Sequence, residues 1–228
     1  MLEQPAVAAA VERSALAALP RPTVERLFEH ALLLEVPAGA VPQRPGDGMV
    51  PGMMVSGLLR VFQTMVDGRQ LTVRYVRAGG LLAIVTVYTR RSGPLSQQAL
   101  TPCRIVRFRA DLLIEAAARD PAVANLFASE IGHRMFEYLD ELAGNVFGTM
   151  RQRVARHLLD LAAADRGQPP LVARVSQQAL ADAVGTVREV IVRVLRELRE
   201  EELVRTGRDG IEILQPDRLV AETFPRDV

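Results

Sequence analysis

Between residues 176 and 198 the chain reads SQQALADAVGTVREVIVRVLREL, a run whose residue types suit contact with the edges of base pairs. At 3.6 residues per turn, Arg188, Glu189, Val192, Arg193 and Arg196 share one side of a helix, and Val187, Ile191, Val194, Leu195 and Leu198 share the other. The planar fork of arginine donates two parallel hydrogen bonds to O6 and N7 of guanine, and glutamate accepts from N4 of cytosine. Ser176 is placed to cap a short first helix, and Ala181 is small where a second helix must pass close. Gly185 supplies the tight turn, Thr186 stands where it can cap the second helix, and Ile191 plugs back against the first. This is the spacing of a helix-turn-helix. The segment that follows, LVRT, then Gly207-Arg208-Asp209-Gly210, then IEIL, reads as a hairpin with Arg208 at its tip. Such a wing is able to meet the phosphate backbone. Glu189 and Arg193, four residues apart, would serve equally well as a solvated surface pair worth about 0.3–0.5 kcal/mol. The caps, the turn, the Ala/Gly/Ile spacing and the wing occurring together favour the base-reading alternative.

The elements that must carry this module are punctuated by glycine and proline. Residues 11–36 hold a short helical pattern through Leu16, Leu19, Val24, Leu27 and Phe28, broken at Pro20 and Pro22. From about residue 33 to 109, Gly or Pro recurs every few residues, and the runs between (MMVSGLLRVFQ, QLTVRYV, LLAIVTVY, CRIVRF) read as strands. Asp67-Gly68 between two such runs reads as a hairpin turn. Evenly spaced short strands imply a sandwich or barrel. ADLLIEAAARD then reads as a helix, and Asp120-Pro121 provides an N-cap and first-turn proline ahead of a long one. Its apolar stripe runs through Val123, Leu126, Phe127, Ile131, Met135, Tyr138, Leu139, Leu142, Val146 and Phe147. A stripe this long outlasts what a small barrel can cover, so residues from Phe127 to Val146 are expected to form a seam with a second copy. The expected fold class is α+β: an N-terminal β-roll (a double-stranded, jelly-roll-like barrel) over 1–120, a long dimerisation helix and hinge over 121–150, and a winged helix-turn-helix over 151–228.

Composition narrows the function classes. The 228 residues are 49% hydrophobic and 24% charged, enough to bury a core. No apolar run approaches the roughly 20 residues of a membrane span. The N-terminus MLEQPAVAAAVERS lacks the basic start of a signal peptide, so a cytoplasmic protein with no membrane partner is expected. A single cysteine, Cys103, leaves no disulfide framework and no iron–sulfur or multi-cysteine zinc site, and it is expected to be a buried packing residue. No metal ligand set is expected. All 28 basic residues are arginine, first a sign of codon usage, and the net charge of +1 identifies no partner. There is no G-x-S-x-G, no H-E-x-x-H and no lysine to complete a phosphate loop, so no enzyme is expected.

PAGAVPQRPGD and SGLLRVFQTMVDGRQLTVRYVRAGGLL, followed by a long helix, RVARHLLDLA and QQALADAVGTVREVIVRVLREL, resemble the CRP/FNR family of bacterial transcription regulators over about residues 24–220. The strongest part is Gly185-Thr-Val-Arg-Glu-Val-Ile-Val-Arg193, similar to the family's G-x-S/T-R-E-x-V-x-R signature. The chain departs from it at Val187, where the family has a capping Ser or Thr, and mildly at Ile191. The resemblance implies a homodimer joined along the long helix, an inverted-repeat DNA operator, RNA polymerase as a partner, and base reading by Arg188, Glu189 and Arg193. In cyclic-nucleotide-binding members a Gly-Glu pair contacts the ribose and an Arg-Ser/Thr pair the phosphate. Here the first place reads Ala83-Ile84 and the second falls near Gly93-Pro94-Leu95, with Arg91-Ser92 slightly upstream. A phosphate without its arginine forfeits a charge-assisted pair of about 1.5–3 kcal/mol. Tyr138 and Leu139 stand where an adenine-reading member has small hydroxyl residues, so cAMP is a poor fit.

No cofactor is expected. Heme stays open through its need for an axial His, Cys or Met, although His30, His133 and His157 are isolated and read as structural or solvated. Two readings of the β-roll compete. It is either a scaffold that has lost ligand binding, which is favoured, or an effector-gated sensor. A sensor would use Leu81, Leu82, Ala83, Ile84, Val85 and Tyr88, with Arg91, Ser92, Arg134, Met135, Tyr138 and Leu139. A protein-interaction module without DNA is the remaining alternative.

Overall fold

Seven short strands, parted by the turns that glycine and proline mark, build the N-terminal sheets of the computed structural model, which describes residues 1–48, 50–89, 93–163 and 170–223. They are β1 (Leu32–Val36), β2 (Gly52–Ser56), β3 (Leu59–Thr64), β4 (Gln70–Val76), β5 (Leu81–Leu82), β6 (Ser96–Ala99) and β7 (Cys103–Arg107). One sheet has the order β1-β7-β2-β5 and the other β4-β3-β6. β7 is antiparallel to both neighbours, with Leu32 opposite Arg107 on β1 and Met54 opposite Ile105 on β2. Side chains alternate faces along a strand. Accordingly Met54 and Ile105 enter one core with Val36, Leu59, Val61, Val76, Leu82, Ala99 and Cys103. Their neighbours Met53, Val55 and Val106 enter a second core, under the helices. The central strands β2 and β7 are therefore covered on both faces and read as near-continuous apolar runs, whereas most of the edge strand β1 is exposed.

Those helices are α1 (Pro5–Glu12), α2 (Arg21–Phe28), α3 (Ile84–Thr89), α4 (Ala110–Arg119) and the first half of α5 (Pro121–Phe147), with a 3-10 turn at Ala15–Ala18. Three local readings are corrected. A helix precedes residue 11, because Pro5 suits its first turn and Val7 and Ala10, three apart, are fully buried. Leu32–Val36 is a strand, not the end of a helical stretch, since β7 offers it a ladder. LLAIVTVY is not one strand. β5 stops after two residues at Ala83, whose φ is +55°, and α3 follows, turning Ile84 and Val87 together into the helical core. Asp120 accepts from the N–H of Ala122 at 3.0 Å, as its place before Pro121 predicts.

The chain clusters into two units, Met1–Val61 with Val76–Phe136, and Phe62–Tyr75 with Glu137–Val228. The division falls inside α5, and the β3–β4 hairpin tip groups with the C-terminal residues. The second unit contains α6 (Met150–Ala162), β8 (Leu171–Ala173), α7 (Gln177–Val184), α8 (Arg188–Glu200), β9 (Val204–Gly207), β10 (Gly210–Ile213) and α9 (Pro216–Ala221). Thr149 and Gln152 close a capping box on α6. The small sheet has the order β8-β10-β9. Among the described residues no helix is long and apolar enough to cross a membrane.

Candidate DNA-reading surface

α7 begins at Ser176, whose Oγ accepts from the N–H of Ala179 at 3.1 Å. It ends at Gly185, where φ of +72° and ψ of +38° place the backbone in the left-handed region that glycine occupies without steric cost. The N–H groups of both Gly185 and Thr186 turn back to the carbonyl of Ala181, which is fully buried. The turn therefore holds α7 and α8 at a fixed angle, and the small side chain at 181 lets them meet.

The start of α8 differs from expectation. Its N-cap is Val187, with extended backbone and no side-chain cap, and Thr186 does not take that role. Val187 therefore leaves the inner stripe and is 57% exposed. An N-cap serine accepts from the backbone two or three residues on, and adds about 0.5–2 kcal/mol relative to residues that cannot. Val187→Ser, on a backbone already extended, is expected to raise the unfolding free energy of the C-terminal unit by about 1 kcal/mol. Chemical denaturation followed by circular dichroism reads this; an unchanged or lower midpoint contradicts the capping geometry.

Ile191, Val194, Leu195 and Leu198 are buried as their spacing predicts, and Arg188, Glu189, Val192, Arg193 and Arg196 are exposed. Among the described residues neither Arg188 nor Arg193 forms an ion pair, so the surface pair Glu189–Arg193 is not made; Arg196 lies 3.7 Å from Glu200. The guanidinium forks nearest the helix start are thus free to donate. β9 and β10 form the wing, with Gly207 opposite Gly210 and the exposed Arg208 and Asp209 as the two-residue tip. A Cβ on Gly210 would come 2.4 Å from the carbonyl of Ala173, so only glycine lets β10 lie this close to β8. Arg199 donates to Thr206 at 2.8 Å and Arg205 pairs with Glu212 at 2.6 Å, tying the wing to the helix and to itself.

Behind the surface, Arg151 at the start of α6 donates to both oxygens of Glu201 and to Glu222. These bonds, Glu201 first, hold its guanidinium even more firmly charged than usual, and Arg151 in turn lowers the Glu201 carboxyl. Arg156 pairs with Glu141, while burial and then the charge of Arg156 make Arg153 easier to deprotonate. His157 is buried, with the Tyr75 hydroxyl 3.3 Å from Nδ1; His30 and His133 are exposed. A cleft of about 130 Å³ lies between Gly68, Arg69 and Gln70 of the hairpin and Asp182, Gly185 and Thr186 of the turn. Sequence reading missed this neighbourhood, because nothing local links positions more than a hundred residues apart.

The α5 stripe divides. Phe127 is 1% exposed inside the helical core, with Ile131 packed partly against it, so Phe127 is corrected from seam to core. Met135, Leu139, Leu142, Val146 and Phe147 are 49–74% exposed, as is Phe136, which the spacing did not single out. Tyr138 is half-buried.

Among the described residues grouped as an effector pocket, those of the β-roll are divided between the two cores and the surface. Leu82 belongs to the core between the sheets, and Leu81 and Ile84 to the helical core. Val85 and Tyr88 are exposed, Tyr88 meeting Phe127 edge-on at 6.3 Å. Arg134 pairs with Glu130 at 3.4 Å, and Arg91 and Ser92 lie outside the described residues. Cys103 is buried, its Sγ donating to the carbonyls of Leu58 and Thr101, and burial pushes its thiol up. Among the described residues no three His, Cys, Asp or Glu side chains gather as a metal site.

Residues 152–222 match the model of the Crp-like helix-turn-helix domain. The chain is 32% identical over 162 residues to the cyclic AMP receptor protein of Thermus thermophilus, spanning 71% of this chain and 73% of that one. It is 29% identical over 161 residues to the transcriptional regulator LdrP of the same organism, spanning 66% and 75%. FixK2 from Bradyrhizobium japonicum shares the fold, with a TM-score of 0.74 at 18% identity over 86% of this chain and 99% of that one. So does a CRP/FNR-family transcriptional regulator from Thermus thermophilus, with a TM-score of 0.69 at 24% identity over 86% and 100%. An α+β chain with a winged helix-turn-helix and these relatives defines a class, the helix-turn-helix transcription regulators. The chain belongs to the CRP/FNR family. It is a transcription regulator and not an enzyme, and its helix-turn-helix domain implies DNA binding.

Proposed function

We propose that the protein is a homodimer that reads an inverted-repeat operator through α8 and does so without cAMP. The observation that carries this reading is the exposed face of Arg188, Glu189, Val192, Arg193 and Arg196, with Arg188 and Arg193 unpaired among the described residues. Arg188 and Arg193 donate to guanine, Glu189 accepts from cytosine, and Arg208 on the wing meets phosphate. The leading end of α8, with Ser176, Thr186 and Val187 around the turn, enters the major groove. The exposed stripe from Met135 to Phe147 supports a seam between two copies, since exposed apolar surface this continuous is uncommon on a monomer. Two copies related by a twofold axis set their recognition helices about 34–36 Å apart, one turn of DNA. RNA polymerase is the further partner that a regulator of this class serves.

Independence from cAMP is supported at the place of the ribose-binding carboxylate. Ile84 stands there with its side chain in the helical core, so no acidic group reaches a ribose from that position.

The test uses the full-length protein, dialysed free of ligand, and selection from a pool of random duplexes, followed by fluorescence anisotropy at two salt concentrations. Enrichment of an inverted repeat, bound tightly without nucleotide and more weakly as salt rises, is expected. Enrichment that needs added cAMP would overturn independence from cAMP. No enrichment and no salt dependence would overturn DNA reading itself.

A further inference from the structure

Val192 occupies an unusual place on α8. On a helix of 3.6 residues per turn it lies one turn behind Arg188 and Glu189, directly between their two directions, and one turn ahead of Arg196. It is 42% exposed, the apolar centre of a face otherwise made of Arg188, Glu189, Arg193 and Arg196. Val187, the uncapped residue at the leading end, is a second exposed valine. Neither valine side chain can donate to phosphate or to a base edge, so neither side chain adds to the polar reading already described.

The charged ring selects what covers Val192. Arginine apart, charged residues are depleted at the core of a protein–protein contact, and a valine set among Arg188, Glu189, Arg193 and Arg196 matches the mixed donors and acceptors of base edges better. A major groove suits such a face. There the 5-methyl group of thymine stands among the hydrogen-bonding edges that Arg and Glu read, and small apolar side chains pack on that methyl.

Resting on the proposed DNA reading, we infer that Val192 selects thymine by contact with its 5-methyl group, at one position in each half-site beside the bases read by Arg188 and Glu189. The two half-sites each contain one such thymine. Specificity at that position comes from an apolar contact, with no hydrogen bond to the base.

The experiment replaces thymine by deoxyuridine, one position at a time, in the duplex enriched from the random pool. This removes the methyl and leaves every hydrogen-bonding group in place. For the full-length wild type, a single substitution at the sensitive position of either half-site is expected to weaken binding about fourfold, the fold-change of one buried methyl group. Val192→Ala, which keeps Cβ and loses the two γ-methyl groups that reach furthest towards the base, is expected to bind the thymine duplex more weakly and to show a smaller penalty for uracil than the wild type. Val192→Thr, which keeps a methyl, is expected to retain the sensitivity. Equal uracil sensitivity in wild type and Val192→Ala, or no sensitive position in the wild type, overturns the inference. Enrichment of a defined operator with either result leaves the DNA reading standing. Failure to enrich any sequence removes both.

Discussion

Leu142→Asp in the full-length protein is expected to sediment as a monomer and to bind the operator at least about 100-fold more weakly than the wild type. Leu142 is 59% exposed, and Leu139 and Val146 lie one helical turn to either side of it. Placing a carboxylate in the centre of a paired stripe buries a charge without a partner, which costs several kcal/mol per ion. Two such carboxylates, one from each copy, face a common seam and repel. The effect on DNA follows from linkage. When two recognition helices are joined, the second half-site binds as an intramolecular event, a gain of about 10²–10⁴ that a monomer forgoes. Because Leu142 is exposed in the single chain, the fold of that chain is expected to change by no more than about 0.5 kcal/mol. Circular dichroism and the melting curve of monomeric species check this. Leu139→Asp is expected to behave alike. A Leu142→Asp variant that stays dimeric, or a monomer that holds the full inverted repeat as tightly as wild type, removes α5 as the seam.

The second large effect belongs to the recognition helix. Arg193→Ala is expected to weaken operator binding by about 1–3 kcal/mol per half-site, roughly 30-fold or more for the dimer, and to relax base preference at one position of each half-site. Arg188→Ala is expected to do the same at a neighbouring position. Neither arginine makes an ion pair among the described residues, so truncation removes a ligand contact without stranding a partner inside the protein. Arg208→Ala on the wing offers the contrast. A phosphate contact has no sequence content, so that variant is expected to weaken all duplexes alike and to reduce the slope of log K against log salt by about one per half-site, about two for the dimer. Competition binding against duplexes altered at single positions separates the two patterns. Equal loss on every sequence for Arg193→Ala would move that residue from base to backbone.

The winged helix-turn-helix was legible almost whole. Ser176, Gly185 and the Gly207–Gly210 tip act through neighbours one to four residues away, or across a two-residue turn, and such interactions are written in spacing. The cap of α8 was the exception. Thr186 and Val187 are adjacent, and which of them leads the helix depends on how the turn back to Ala181 uses the backbone of Thr186. In the N-terminal half, strand after strand was found, yet LLAIVTVY looked like one more. Its periodicity does not separate a short buried helix from a buried strand, and the helical core that takes Ile84 and Val87 is assembled from distant segments.

By itself the sequence determined the family, the elements that carry its recognition helix, and the side of that helix which faces outward, because periodicity and caps are local properties of a chain. Only the tertiary structure decided which part of the α5 stripe is spent on the protein's own core. Phe127 and Met135 look alike in the sequence, two turns apart on one face. Phe127 is buried in a core that gathers segments as remote as Val7 and Leu81, whereas Met135 is 59% exposed. The grouping of Leu82 with Ile84 was undone for the same reason. Leu82 and Ile84, two residues apart, enter separate cores because the left-handed turn at Ala83 ends a strand and lets a helix begin. Burial is a sum over whatever the whole chain brings to a point, and no local pattern contains that sum.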